Sequence, residues 1–341
     1  MLECTPASAG WTWSSLRVAK LAPGGRLDVR TGGEELLVLP LAGSCTVTVA
    51  GRTHHLAGRP SPFAGPSDAL YLPDQADAVL ASERGGRFAL AGATVGDAGA
   101  LLEVAYVPRA SVAVELRGAG SCSRRVANVC FPDNVTARRL IVCEVLTPAG
   151  NWSSYPPHKH DEEREGETEL EEIYYFELAP EGGTELAPEG GTELAPEGGT
   201  ELAPEGGTDV DGSRRGVAFQ RVYGSAQRPI DVLAEVRDGD VVLVPHGWHG
   251  PTMAAPGYDL YYLNVMAGPG RRAWLACDDP AHAWVRETWP AQAVDGRLLA
   301  ATTGPDEATR SKPARAGDAG AGDAGAGAGD ARAGYGGHDG T

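Results

Sequence analysis

The stretch Asn151 to Tyr175, NWSSYPPHKHDEEREGETELEEIYY, sets two histidines one residue apart between a proline turn and an acidic loop. In an extended segment, next-but-one side chains leave the same face about 6 to 7 Å apart. His158 and His160 can therefore share one metal ion, and Lys159 between them points the other way. The acidic loop closes on Glu171 and Glu172, directly before Ile173-Tyr174-Tyr175-Phe176. That β-branched and aromatic run predicts a strand from Glu172 to Phe176. A carboxylate at the base of this strand can turn back toward the histidines as an oxygen ligand.

Upstream, from Glu34 onward, short β-rich runs alternate with Gly and Pro: Leu36 to Leu39, Thr46 to Val49, Thr53 to Leu56, Leu70 to Leu72 and Phe88 to Ala91. Such spacing, without long amphipathic helical patterns, predicts an all-β sandwich or barrel. His54 and His55 are adjacent in this half, so on a strand they face opposite sides and cannot serve one site.

From Val126 a second half begins, with a strand expected over Arg139 to Val145 and a turn at Thr147 to Gly150. Residues 177 to 208 are four copies of ELAPEGGT, whose Pro and paired Gly offer too little apolar surface to offset the entropy of ordering. A flexible insertion is expected, lying in a hairpin connection between Phe176 and the strand that resumes at Gly216 to Tyr223. Asp238 to Pro245 reads as a turn and a buried strand leading into His246-Gly247-Trp248-His249, and Tyr258 to Met266 as another strand. The large rings Trp274, Trp284 and Trp289, with His282, are expected to fill core or interface. Beyond Gly304 the composition collapses to Gly, Ala and Asp, so residues 305 to 341, with His338, are expected to be disordered.

With 341 residues, 42% of them hydrophobic, the chain can bury two cores of ordinary domain size. Its net charge of -17, about half of it from the repeat glutamates, and the lack of clustered Lys and Arg exclude a nucleic-acid partner. The six scattered cysteines form no CxxC pair and suit reduced thiols. No apolar run reaches the length of a membrane span, and the opening residues lack the pattern of a secretory signal. A soluble cytoplasmic protein acting on a small molecule is expected, with a homo-oligomer compatible.

Five segments, SSYPPHKHD (153–161), LEEIYYF (170–176), GVAFQRVY (216–223), GDVVLVPHGWH (239–249) and PGYDLYYLNVMAG (256–268), closely resemble the 5-deoxy-glucuronate isomerases of bacterial myo-inositol breakdown, a branch of the cupin superfamily. The resemblance covers most of residues 10 to 300. It implies a bicupin, two barrels of the double-stranded β-helix type, with residues 1–125 metal-free and residues 126–300 holding the metal. It also implies an aldose–ketose isomerase converting 5-deoxy-glucuronate to 5-dehydro-2-deoxy-gluconate. Related isomerases acting on 5-keto-4-deoxyuronate hold a divalent metal, usually zinc, through an HxH pair, a glutamate and a third histidine. Carried onto this chain, those residues are His158, His160, Glu172 and His249.

Glu165 and Glu171 stay open as alternatives for the carboxylate, and His246 for the late histidine. Nitrogen and oxygen ligands suit Zn, Mn, Fe, Co or Ni alike. Tyr174, Gln220, Tyr262 and Lys159 are the candidates for moving protons, and Arg221 for gripping a substrate carboxylate. In the first half, aligning Leu72-Pro73 with Val244-Pro245 puts Asp77 where His249 stands. The rival functions are a metal-dependent cupin dioxygenase and a sugar-binding bicupin without activity.

Overall fold

The computed structural model of the chain describes residues 1–96, 102–182 and 216–300. Most of the octapeptide repeat and the whole tail with His338 lie outside the described residues.

The apolar run from Leu36 to Leu41 has no polar alternation because its strand is covered on both sides. In the strand Glu34–Val49, Leu36 and Val38 pack with Val47, Leu70, Leu80 and Phe88 inside the first barrel. Leu37, Leu39 and Leu41, on the opposite face, share a core with Val142, Ile173, Tyr261 and Leu263 of the second half. The runs expected as separate strands at Leu36–Leu39 and Thr46–Val49 are one strand, bent by bulges at Pro40/Ala42 and Gly43/Cys45. Gly43 makes the bend with a φ of 87°, where a Cβ would lie 2.7 Å from the Gly85 carbonyl oxygen. The first sheet is antiparallel and nine-stranded, and it also takes in Leu2–Cys4, Ser14–Leu21, Gly25–Arg30, Asp77–Ser82 and Ala105–Val107, five strands that no expectation covered. In Ser14–Leu21 and Gly25–Arg30 the apolar positions are interrupted by Arg, Lys and Asp, which weakens the signal.

The second half folds as two facing antiparallel sheets. One runs in the order Ala113–Arg117, Arg124–Cys130, Ile141–Thr147, Tyr258–Ala267, Glu171–Pro180, Val241–Val244. The other joins Asp231–Val236, Ala218–Tyr223, Trp248–Ala254, His158–Lys159 and Cys277–Asp278. Tyr174, Phe176, Val222, Val244 and Met266 fill the space between them. Ala113–Arg117 enters this sheet ahead of the boundary expected at residue 126, because it has a hairpin partner in Arg124–Cys130. The architecture is the all-β pair of barrels that the resemblance implies.

Two expectations about the repeat are corrected. Its first copy opens inside the strand Glu171–Pro180, where Glu177 is buried and bonded by Arg87 and by the Tyr175 hydroxyl at 3.0 Å. An ion-pair partner across the two halves orders residues whose composition alone would leave them free. The segment that follows does not close a hairpin, since Glu171–Pro180 and Ala218–Tyr223 belong to different sheets.

Candidate metal centre

One strand pairing brings the histidines together. His158 stands opposite His249 across the pairing of His158–Lys159 with Trp248–Ala254. The ring centroids of His158 and His160 lie 4.4 and 4.7 Å from that of His249. The approach needs Gly250, at φ 103°, because a Cβ there would sit 1.8 Å from the Ser154 carbonyl oxygen. One nitrogen from each of the three rings falls within a group whose atoms all lie within 4.8 Å of one another.

Glu172 reaches this group from the facing sheet. Its Oε2 lies 3.1 Å from both His160 Nε2 and His249 Nε2. The Nδ1 atoms of His160 and His249 lie 3.2 Å from the carbonyl oxygens of Leu170 and Gly247, which holds each ring with Nε2 toward the centre. Two buried atoms are left without a hydrogen bond: Glu172 Oε1, and His249 Nε2 despite its 3.1 Å approach to Glu172 Oε2. Orphaned buried polar atoms are costly. A divalent cation among three imidazoles and a carboxylate satisfies them, so the donor set fits such an ion.

Two of the four groups are held in the charge state a metal ligand needs. Loss of water, helped by the neighbouring His249 and His160, holds the His158 imidazole well below its usual pKa and hence neutral, the form a metal ligand needs. Burial alone would raise Glu172, but the bond from His160 and the surrounding imidazoles outweigh it and draw the carboxyl down to about 2.

Of the three glutamates left open, only Glu172 lies at the centre. Glu171, one residue away and on the opposite face, accepts from the backbone N–H groups of Thr12, Trp13 and Ser14 at 2.9, 2.7 and 3.0 Å. Glu165 is exposed on the acidic loop. His246 is half-buried outside the group. In the first barrel, Leu36 pairs with Leu72 as Glu172 pairs with Val244, so a leucine takes the place of the carboxylate. Asp77 there is exposed beside Arg30.

A cavity of about 370 Å³ opens beside the centre, lined among others by His158, Ser154, Tyr174, Tyr262, Asn264 and Trp274. Tyr262 Oη donates to Ser153 Oγ at 3.0 Å and lies 3.2 Å from Ser154 Oγ, which is 3.4 Å from Tyr174 Oη. Tyr174 and Tyr262 thus line the cavity with linked hydroxyls. Gln220 points into the barrel, but its Oε1 accepts from Thr252 and it does not line the cavity.

Two candidates are placed elsewhere. Lys159 is turned away from the centre and held by Asp161 at 2.6 Å and Glu167 at 2.7 Å. Burial alone would lower its pKa, but these carboxylates raise it, so it stays a cation and cannot serve as a base. Arg221 faces outward from its strand, bonded to Asp231 at 2.5 Å and to the Val222 and Val232 carbonyls. The alternation that turns Gln220 inward turns Arg221 out.

The cations that do line the cavity, Arg117, Arg124 and Arg286, went unnoticed in the sequence. They come from two paired strands and a distant C-terminal segment, and no spacing links them. Trp274, expected as core filling, is part of the cavity wall with Arg117 over its ring at 4.9 Å. His282 packs on Tyr155 instead, with centroids 5.9 Å apart. All six cysteines are free thiols, and among the described residues no helix is long and apolar enough to cross a membrane.

Comparison with known families matches residues 1–285 to the KduI/IolB family. A 5-deoxy-glucuronate isomerase of Geobacillus kaustophilus is 36% identical over 291 residues, 84% of this chain and 91% of that protein. A protein of the same name from Bacillus subtilis strain 168 is 33% identical over 288 residues, again 84% of this chain and 92% of its own. Among solved structures, an IolB-like protein from Salmonella typhimurium LT2 superposes with a TM-score of 0.68 at 32% identity, covering 83% of this chain and 94% of its own. An oxalate decarboxylase of Lactobacillus farciminis matches with a TM-score of 0.51 at 12% identity over 81% of this chain and 82% of its own, a likeness of fold alone.

Proposed function

The chain belongs to the KduI/IolB family, and on that premise we propose that it isomerises an open-chain sugar acid, 5-deoxy-glucuronate, to the ketose 5-dehydro-2-deoxy-gluconate. The observation that carries this reading is the convergence of His158, His160, His249 and Glu172 at the edge of the 370 Å³ cavity.

These four residues would hold one divalent ion, zinc or another of Mn, Fe, Co and Ni. When bound, the ion supplies Lewis acidity to the substrate carbonyl and the neighbouring hydroxyl. The chain's own groups do the rest. An aldose–ketose conversion moves one proton between adjacent carbons and another between their two oxygens. The second transfer suits the hydroxyl chain Tyr262, Ser154, Tyr174. Burial raises the Tyr262 phenol to about 12, so at neutral pH it keeps its proton on Oη and can pass it to a substrate oxygen while Ser153 and Ser154 reorient. Lys159, held by Asp161 and Glu167, orders the loop behind His160 without touching the reacting atoms.

Conversion of 5-deoxy-glucuronate by the purified protein, followed anaerobically and before and after chelation, tests the proposal. Turnover without oxygen that stops on chelation supports it. Oxygen consumption in place of isomerisation would establish a dioxygenase, and binding without turnover a sugar-binding protein.

A further inference from the structure

We propose that Arg124, flanked by Arg117 and Arg286, is the anchor for the substrate carboxylate, so that the cavity selects an acidic aldose over a neutral one. This rests on the isomerase reading above and adds the group that decides its substrate class.

Arg124 is 8% exposed and lines the cavity. Its Nη1 donates to the Cys122 carbonyl at 3.1 Å, and its guanidinium lies 5.6 Å from the Trp289 ring centroid. Among the described residues no carboxylate stands within ion-pair distance of it. The two neighbours differ: Arg117 pairs with Glu115 at 3.0 Å, and Arg286 is bound through two nitrogens to Asp278. Glu115, which also lines the cavity, is shared between Arg117 and Asn128 and so is already engaged.

A buried guanidinium without a counter-ion is expensive, and folded chains seldom keep one without a use for it. Burial, with repulsion from Arg117 and Arg286, pulls the Arg124 pKa down to about 10. At neutral pH it is still charged, and its planar fork matches a carboxylate through two parallel bonds. Placement also favours a ligand over a structural role. Arg124 stands opposite Arg117 on the inner face, and two residues along, Val126 faces Val145, which faces Tyr262. The anchor therefore shares a wall with the hydroxyl chain, and His158 lines the same space. Arg286 packs on the same Trp289 ring, its guanidinium 5.0 Å from the centroid, so one aromatic side chain braces both cations. A sugar with its carbonyl at the metal centre and an acid at its other end meets both requirements at once.

The test compares wild type with Arg124→Met and Arg124→Lys in the metal-loaded protein, using 5-deoxy-glucuronate and the 5-deoxy-hexose in which a hydroxymethyl replaces the carboxylate. The preference for the acid, as a ratio of kcat/KM, is expected to fall about 100-fold in Arg124→Met and to recover in part in Arg124→Lys. The melting temperature of Arg124→Met is expected to hold or rise, because an unpaired buried charge has gone. An unchanged ratio, or a melting temperature that falls with activity on both sugars, would overturn the anchor. Calorimetric binding of the sugar acid separates this from failure of the isomerase reading. If wild type binds the acid without turnover and Arg124→Met does not bind it, the anchor stands and the reaction falls. Equal binding by both removes the anchor whatever the reaction.

Discussion

Glu171 and Glu172 are adjacent in the chain and serve opposite faces of one sheet: Glu172 lies within 3.1 Å of His160 and His249 in the second barrel, while Glu171 accepts three backbone N–H groups from the first half. Glu35 makes the reciprocal link, accepting from the Tyr71 hydroxyl and from the N–H groups of Arg138, Arg139 and Leu140. One strand thus carries a staple between the halves and the carboxylate of the candidate metal centre side by side.

Exchanging the two should separate stability from metal binding. Glu171→Ala leaves three N–H groups without their acceptor and should cost about 3 kcal/mol in unfolding free energy, with metal content intact. Glu172→Ala should abolish stoichiometric metal. Chemical denaturation and elemental analysis of both variants check this, and loss of metal from Glu171→Ala alone would reverse the assignment.

Removing a histidine tests the centre directly. His160→Ala should lose bound divalent metal and about 10³-fold in turnover, and chelation of wild type should reproduce the defect. Restoring Zn, Mn, Fe, Co or Ni one at a time to the chelated protein identifies the working ion. Full metal occupancy in His160→Ala would remove that residue from the set.

Acid should weaken the metal-free protein through Glu172. Its folded-state pKa, about 2, lies below the usual 4.5, so the unfolded chain takes up a proton first as pH falls. The stability it contributes is present above pH 4.5 and is lost as pH drops from there toward 2, up to roughly 3 kcal/mol. Denaturant unfolding of chelated wild type and of Glu172→Gln between pH 6 and 3 measures it as a steeper wild-type decline. Parallel curves would show that the carboxylate is not held ionised.

Arg221→Ala should leave kcat and KM for the sugar acid within about twofold. Its partner Asp231 is exposed, and such surface pairs contribute about 0 to 1 kcal/mol. A large rise in KM would return Arg221 to the substrate site.

Glu177→Ala should destabilise the fold by about 2 kcal/mol, since it unpairs Arg87 of the first half and the buried Tyr175 hydroxyl on its own strand. Thermal melting reads the change, and no shift would mean that the first repeat copy contributes nothing to the packed structure.

The period of two in its strands, the Gly and Pro punctuation, the HxH pair and the late histidine were all present in the linear order of residues. They decided the all-β class and paired His158 with His160, because each depends on contacts within a few residues, whereas His249 was named by the family resemblance. Spacing alone could not decide which face of a strand turns inward. That choice separated Glu172 from Glu171 and sent Arg221 to solvent while Gln220 went in. Nor could it show which strands become neighbours, so the split of Glu171–Pro180 and Ala218–Tyr223 between two sheets, and the meeting of Arg124 with Arg286, emerged only on folding. Sheet pairing joins residues more than a hundred positions apart, and only the packed core decides its register and its inward face.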